Sequence, residues 1–175
     1  MILGMSISLF TTIHVIISLV AIAAGLIVLI GMLGSKRLGG WTGLFLFMTI
    51  LTSVTGFFFP IHGFTPAIGV GVVSLVILVI AVIARYVQHL AGAWRWIYVV
   101  TAVAALWFNV FVMIVQSFEK ISILNPHAPQ VGPPFPEPQN TQFAIAQGAA
   151  LVILAVLGLI AVFRFRPASG PVSMS

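Results

Sequence analysis

Long apolar runs fill the chain, broken at a few points by glycine, proline and cations. The first covers about residues 6–33 and stops at Gly34-Ser35-Lys36-Arg37. The second covers 41–59 and ends at Pro60, and the third, 67–83, closes with Arg85, Tyr86 and His89. The fourth covers 94–115 from Trp94-Arg95-Trp96, and the fifth covers 143–163 and runs into Arg164-Phe165-Arg166-Pro167. Crossing about 30 Å of hydrocarbon takes roughly 20 apolar residues at 1.5 Å each, so the pattern predicts five transmembrane helices and an all-α, polytopic membrane helix bundle. The whole chain, 1–175, reads as one transmembrane domain.

Composition points the same way, with 61% of residues hydrophobic and 5% charged, against about 25% charged in an ordinary soluble domain. The net charge of +5 raises the question of nucleic acid. The cations sit at the ends of apolar runs rather than in a patch with exposed aromatics, so they read as topology signals and headgroup contacts, and no nucleic-acid partner is expected. With no cysteine in the chain, disulfides, thiolate metal sites and thiol chemistry are excluded.

Lys and Arg in short loops are retained in the cytoplasm. Lys36 and Arg37 join runs one and two, Arg85 and Arg95 join three and four, and Arg164 and Arg166 follow five. All fall on one side, whereas Lys120 lies on the other beside Glu119, which predicts the N-terminus out and the C-terminus in. A cleaved signal peptide is disfavoured for the first run, because its cations follow it and nothing basic precedes it. Trp41, Trp94, Trp96 and Tyr98 gather at the expected cytoplasmic boundary as an aromatic belt. The segment of about 118–141 carries six prolines between Pro126 and Pro138 and reads as an extended outer, periplasmic loop.

Small and polar residues mark the faces that meet other helices in a bilayer. Thr11, His14, Ser18, Ala21 and Gly25 follow at alternating steps of three and four, on one stripe of the first helix. Tyr98, Thr101, Ala105, Asn109 and Met113 form a stripe on the fourth, with Gln116 near its outer end. The second offers Thr49, Thr52, Ser53 and Gly56; the third Gly71, Ser74 and Ala81; the fifth Gln147, Ala150, Gly158 and Ala161. His14 and Asn109 both fall on the order of 12 Å below the outer surface. The candidate site is therefore an outward-opening polar pocket of His14, Asn109, Ser18, Thr52, Thr55 and Gln147, with His62 in the short loop above. His14 and Asn109 also have a structural reading as interhelical hydrogen-bonding glue. His89 reads as a cytoplasmic headgroup contact and His127 as a solvated loop residue.

No catalytic constellation or metal site emerges. The only acids, Glu119 and Glu137, lie in the outer loop, which disfavours a proton-coupled transporter and a membrane hydrolase. Five spans also cannot divide into two equal inverted halves. No cofactor is predicted. The alternative is a quinone- or haem-binding redox subunit using His14, although His89 lies near the opposite surface and Met113 is shallower than His14. The leading expectation is an accessory or structural membrane subunit, or a binder of a hydrophobic ligand. Its partners would be the lipid bilayer and a membrane-protein partner or second copy of itself.

The stretches Gly56-Phe57-Phe58-Phe59-Pro60-Ile61-His62-Gly63-Phe64-Thr65-Pro66, Ala84-Arg85-Tyr86 and His89-Leu90-Ala91-Gly92-Ala93-Trp94-Arg95-Trp96-Ile97-Tyr98 resemble those of small multi-pass inner-membrane proteins of proteobacteria to which no activity is assigned. The resemblance covers most of the chain through the fourth helix. It implies a location in the bacterial inner membrane, with the outer surface in the periplasm, and carries over no activity, cofactor or catalytic residue.

Overall fold

The computed structural model describes residues 1–60, 66–121, 124 and 141–166, with 66, 67, 119 and 120 described in their backbone only. They fold into α1 Ile7–Leu33, α2 Gly39–Gly56, α3 Pro66–Val82, α4 Trp94–Lys120 and α5 Thr141–Arg164. A π-helical turn, Ile83–Val87, extends α3. There is no strand among the described residues, only an isolated bridge between Ile2 and Met5. His62, His127, Glu137 and most of the proline-rich segment lie outside the described residues.

Four of these helices are long and apolar enough to cross a membrane: α1, α3 with its π turn (Ile68–Val87), α4 and α5. The exception is α2. Four glycines, four threonines and Ser53 within its 18 residues dilute its apolar content. Its length corresponds to about 27 Å. It ends at Gly56 rather than at residue 59, because Phe57 and Phe58 already turn back onto the Val54 and Thr55 carbonyls.

Local chemistry fixes the helix ends. The Ser6 hydroxyl accepts from Leu9 N–H at 3.2 Å and caps α1, satisfying one of the donors that a helix start leaves open. At the other end Gly34 N–H donates to Ile30 O, Lys36 N–H donates to Gly31 O, and Ser35 takes the left-handed φ of 57°. That is the Schellman arrangement, with serine where glycine is usual. After the π turn, His89 and Leu90 are both left-handed, with φ of 49° and 63°. Such a conformation costs roughly 1–2 kcal/mol per residue. Burial of the Leu90 side chain and its N–H bond to Ala84 O offset that cost.

Successive helices run antiparallel. His14 meets Thr55, Ser53 meets Ser74, and Gln147 meets Phe111 O. Around the bundle the order is α1, α2, α3, α4, α5, closed by α5 on α1, with α1 and α4 also touching across the middle. The buried core takes Ala21, Ala24 and Val28 from α1, Phe45 and Leu46 from α2, Leu78 and Ala81 from α3, Tyr98, Ala105 and Leu106 from α4, and Ala161 from α5. Large apolar side chains such as Val72, Val76, Val152, Val156, Leu159 and Phe163 face outward. That inversion of a soluble surface suits a lipid environment.

Candidate functional site

The polar residues of the interior converge on α2. Thr42, Phe45, Thr49 and Thr52 follow at three- and four-residue steps, so they share one face, with Thr42, Phe45 and Thr49 buried. Asn109 of α4, 8% exposed, donates from Nδ2 to Thr49 Oγ1 at 3.1 Å. Thr49 Oγ1 in turn donates to Phe45 O at 2.8 Å. Nearer the outer end, His14 Nδ1 lies 2.8 Å from Thr55 Oγ1. The Thr55 hydroxyl also lies 2.7 Å from Leu51 O, within its own helix. The His14 ring also meets Phe59 edge-on at 5.3 Å. Ser53 donates to Ser74 of α3 at 3.2 Å. The one helix outside the four span-like ones thus bonds through side chains to α1, α3 and α4, and its polarity is turned inward.

The other expected site residues divide between local and interhelical roles. Ser18 donates to His14 O of its own helix, the usual way for a hydroxyl to be satisfied in a helix interior. Gln147 donates from Nε2 to Phe111 O at 3.1 Å and so joins α5 to α4. Gln147 Oε1 and Thr52 Oγ1 are buried without a hydrogen-bond partner. His14 and Asn109 do not share a rung: their partners Thr55 and Thr49 are separated by six residues, or about 9 Å along α2. Their depths differ because α4 continues to Lys120 rather than stopping near 115, which lowers Asn109 further below its outer end. Met113 is 37% exposed, turned away from the interior that the fourth-helix stripe was expected to face. His89 sits exposed in the turn before α4, at the far end of the bundle from His14.

Between α1, α2 and α4 runs a narrow crevice lined only by apolar residues: Gly25, Val28, Leu29 and Met32 of α1, Phe45 of α2, and Ala102, Val103 and Leu106 of α4. It is too narrow for a water molecule.

A second cluster, at the opposite end, was not anticipated as a unit. The Arg95 guanidinium donates from Nη1 to Phe165 O at 2.9 Å, a cation on the last carbonyls of α5, where the helix dipole favours positive charge. Arg166 N–H donates to Ser35 Oγ at 2.9 Å. Phe165, 1% exposed, packs against Tyr98 with ring centroids 6.2 Å apart, and Arg85 lies over the Tyr98 ring at 5.6 Å. These contacts clamp the end of α5 between the α1–α2 turn and the start of α4. The one sequence signal for it is an aromatic residue between two arginines, Arg164-Phe165-Arg166.

No protein-family model, curated protein or solved structure matches the chain. Its class therefore rests on its own features: an all-helical bundle in which four helices have the length and apolarity of membrane spans.

The Asn109–Thr49 bond gives a bounded expectation. Interhelical hydrogen bonds in membranes average about 0.6 kcal/mol and reach about 1.7. Asn109→Leu should therefore lower stability by no more than that in a detergent unfolding titration. Asn109→Asp should cost more, because it sets a carboxylate against a Thr49 oxygen whose own proton already goes to Phe45 O. Equal losses for the two variants would show that the side chain does not depend on Thr49.

Proposed function

We propose that this chain is a five-span protein of the bacterial inner membrane, N-terminus out and C-terminus in, acting as an accessory or structural subunit. The observation that carries the reading is the use of the interior polar groups. His14, Asn109, Ser53 and Gln147 each bond to a neighbouring helix, which is what holds helices together where apolar burial gives little driving force. α2 counts as the fifth span on this reading, since its hydroxyls face helices rather than lipid. Six cations at one end of the bundle support the orientation.

The pocket for a hydrophobic ligand receives less support than the structural role. A quinone's carbonyls need donors, and the His14 Nδ1 and Asn109 Nδ2 groups are engaged with different threonines on separate rungs. For haem, His89 and Met113 are both wrongly placed to oppose His14.

The experiment is purification in a mild detergent, followed by native mass spectrometry and an absorbance spectrum. An accessory subunit should emerge in a complex of fixed stoichiometry and without colour. A monomer under every mild condition would sink the subunit reading. A Soret band that vanishes in His14→Ala would replace it with the redox alternative. For topology, a reporter fused after Arg166 should be active only in the cytoplasm; periplasmic activity would overturn the orientation.

A further inference from the structure

We propose that the cation-bearing end of the bundle binds anionic phospholipid, with Arg85 and Arg95 as the inner pair of the site; the proposal rests on the membrane reading above. Lys36 and Arg37 lie in the α1–α2 turn, Arg85 in the π turn, Arg95 in the first turn of α4, and Arg164 and Arg166 at the end of α5. The connections between helices bring all six to the same end. The chain contains only two side-chain carboxylates, Glu119 and Glu137. Glu119 belongs to the last turn of α4, at the far end from these cations, and Glu137 follows it in the sequence between α4 and α5. Among the described residues, no acidic side chain lies at the end that carries the six cations.

Arg85 and Arg95 are half-buried, whereas Lys36, Arg37, Arg164 and Arg166 are exposed. A cation removed from water is costly unless it is paired, so the inner two gain most from an external anion. Their positions are already fixed, Arg85 over the Tyr98 ring and Arg95 by its bond to Phe165 O, and they bracket the packed Tyr98–Phe165 pair. Guanidinium groups so held offer the planar donor fork that matches a phosphate.

The surroundings point to a lipid as the source of that phosphate. Trp41, Tyr86 and Trp96 are each close to half exposed at the same end, the position in which amphipathic rings sit among headgroups. The faces immediately below are apolar and outward, with Val100 of α4, Leu159 and Phe163 of α5, and Val79 of α3 exposed. A phosphodiester headgroup at the arginines can thus continue into acyl chains along these helices. A soluble anion would satisfy the charges alone.

Three of the four tryptophans, Trp41, Trp94 and Trp96, lie at this end, so their fluorescence reports on the site directly. In mixed micelles, brominated phosphatidylglycerol should quench it at a lower mole fraction than brominated phosphatidylcholine. Each neutralised inner arginine should weaken the preference roughly fivefold. Arg85→Gln is the cleaner variant, because Arg85 packs on a ring face rather than bonding a backbone carbonyl. Arg95→Gln is read only alongside an unchanged helical spectrum, and Arg85→Lys should restore most of the preference. Equal quenching by the two lipids in the wild-type chain overturns the proposal, as does a preference unaltered in Arg85→Gln. Displacement of phosphatidylglycerol by millimolar inorganic phosphate also overturns it, by showing an ion site rather than a lipid site. Release of the protein from membranes by alkaline carbonate would defeat the membrane reading itself, independently of these outcomes.

Discussion

Phe165→Ala is expected to lower the melting temperature of the detergent-solubilised protein by on the order of 10 °C. Phe165 is the residue just beyond α5, yet its side chain is among the most completely buried in the described structure. Truncating a buried phenylalanine removes its contacts and leaves a cavity, together worth about 3–5 kcal/mol, and each kcal/mol moves the melting point of a chain this size by about 2–4 °C. The loss is also local. Tyr98 loses its ring partner, and what remains at this end is Arg95 on the Phe165 carbonyl and the Arg166 N–H on Ser35 Oγ and Arg164 O, so the last turn of α5 should open. The chain has no cysteine, which makes a single reporter clean: Val162→Cys, half-buried one turn earlier, should react with a maleimide several-fold faster in the Phe165→Ala background. Unchanged melting and unchanged labelling together would show that the clamp contributes nothing to holding α5.

The contrast between Phe165 and the apolar runs shows what could be read from the chain. Run length and hydrophobicity reveal helices because a bilayer demands a minimum apolar length, and the α1 boundary at Leu33 follows directly from the glycine–serine–cation break. Depth is legible only as far as the helix ends are: α4 runs to Lys120 rather than stopping near 115, so Asn109 lies deeper than the residue count placed it. Azimuth around the bundle is less so. His14 and Asn109 were both recognisable as interior polar residues, but which threonine of α2 each would meet depends on helix rotation and on where α4 ends. Thr49 was legible as a packing residue and not as the partner of Asn109. The clamp at the other end was hidden for a different reason: Arg95 and Arg164 to Arg166 look like ordinary boundary residues, and only the tertiary fold brings 95, 165 and 35 together. The π turn at Ile83–Val87 left no mark in the hydrophobic pattern, which falls off at residue 83 although the helical path continues.

Gly25→Val is expected to be the most damaging single substitution within the apolar part of the bundle. At Gly25, α1 comes against both α2 and α4, and a Cβ placed there would lie 2.7 Å from Leu106 Cδ1 and 2.8 Å from Phe45 Cε2. Neither neighbour has room to yield, because Leu106 and Phe45 are each only 1% exposed and the crevice beside them does not admit even a water. Overpacking a tight core costs about 1–3 kcal/mol. Gly25→Ala should fall within that range and Gly25→Val at or beyond its upper end. The replacement gains helix propensity of at most about 1 kcal/mol, too little to cancel the clash. Gly148 of α5 is the matched control: nothing lies within 4 Å of a Cβ built there, so Gly148→Ala should leave stability unchanged or slightly raised. The ordering to be measured in detergent unfolding is therefore Gly148→Ala at or above wild type, then Gly25→Ala, then Gly25→Val. That order follows because lipid-embedded helices associate through close van der Waals contact and interhelical hydrogen bonds rather than through release of water. If Gly25→Val were as stable as wild type, the junction of α1, α2 and α4 at Gly25 would not be close-packed, and the polar rungs on α2 would have to carry the cohesion there alone.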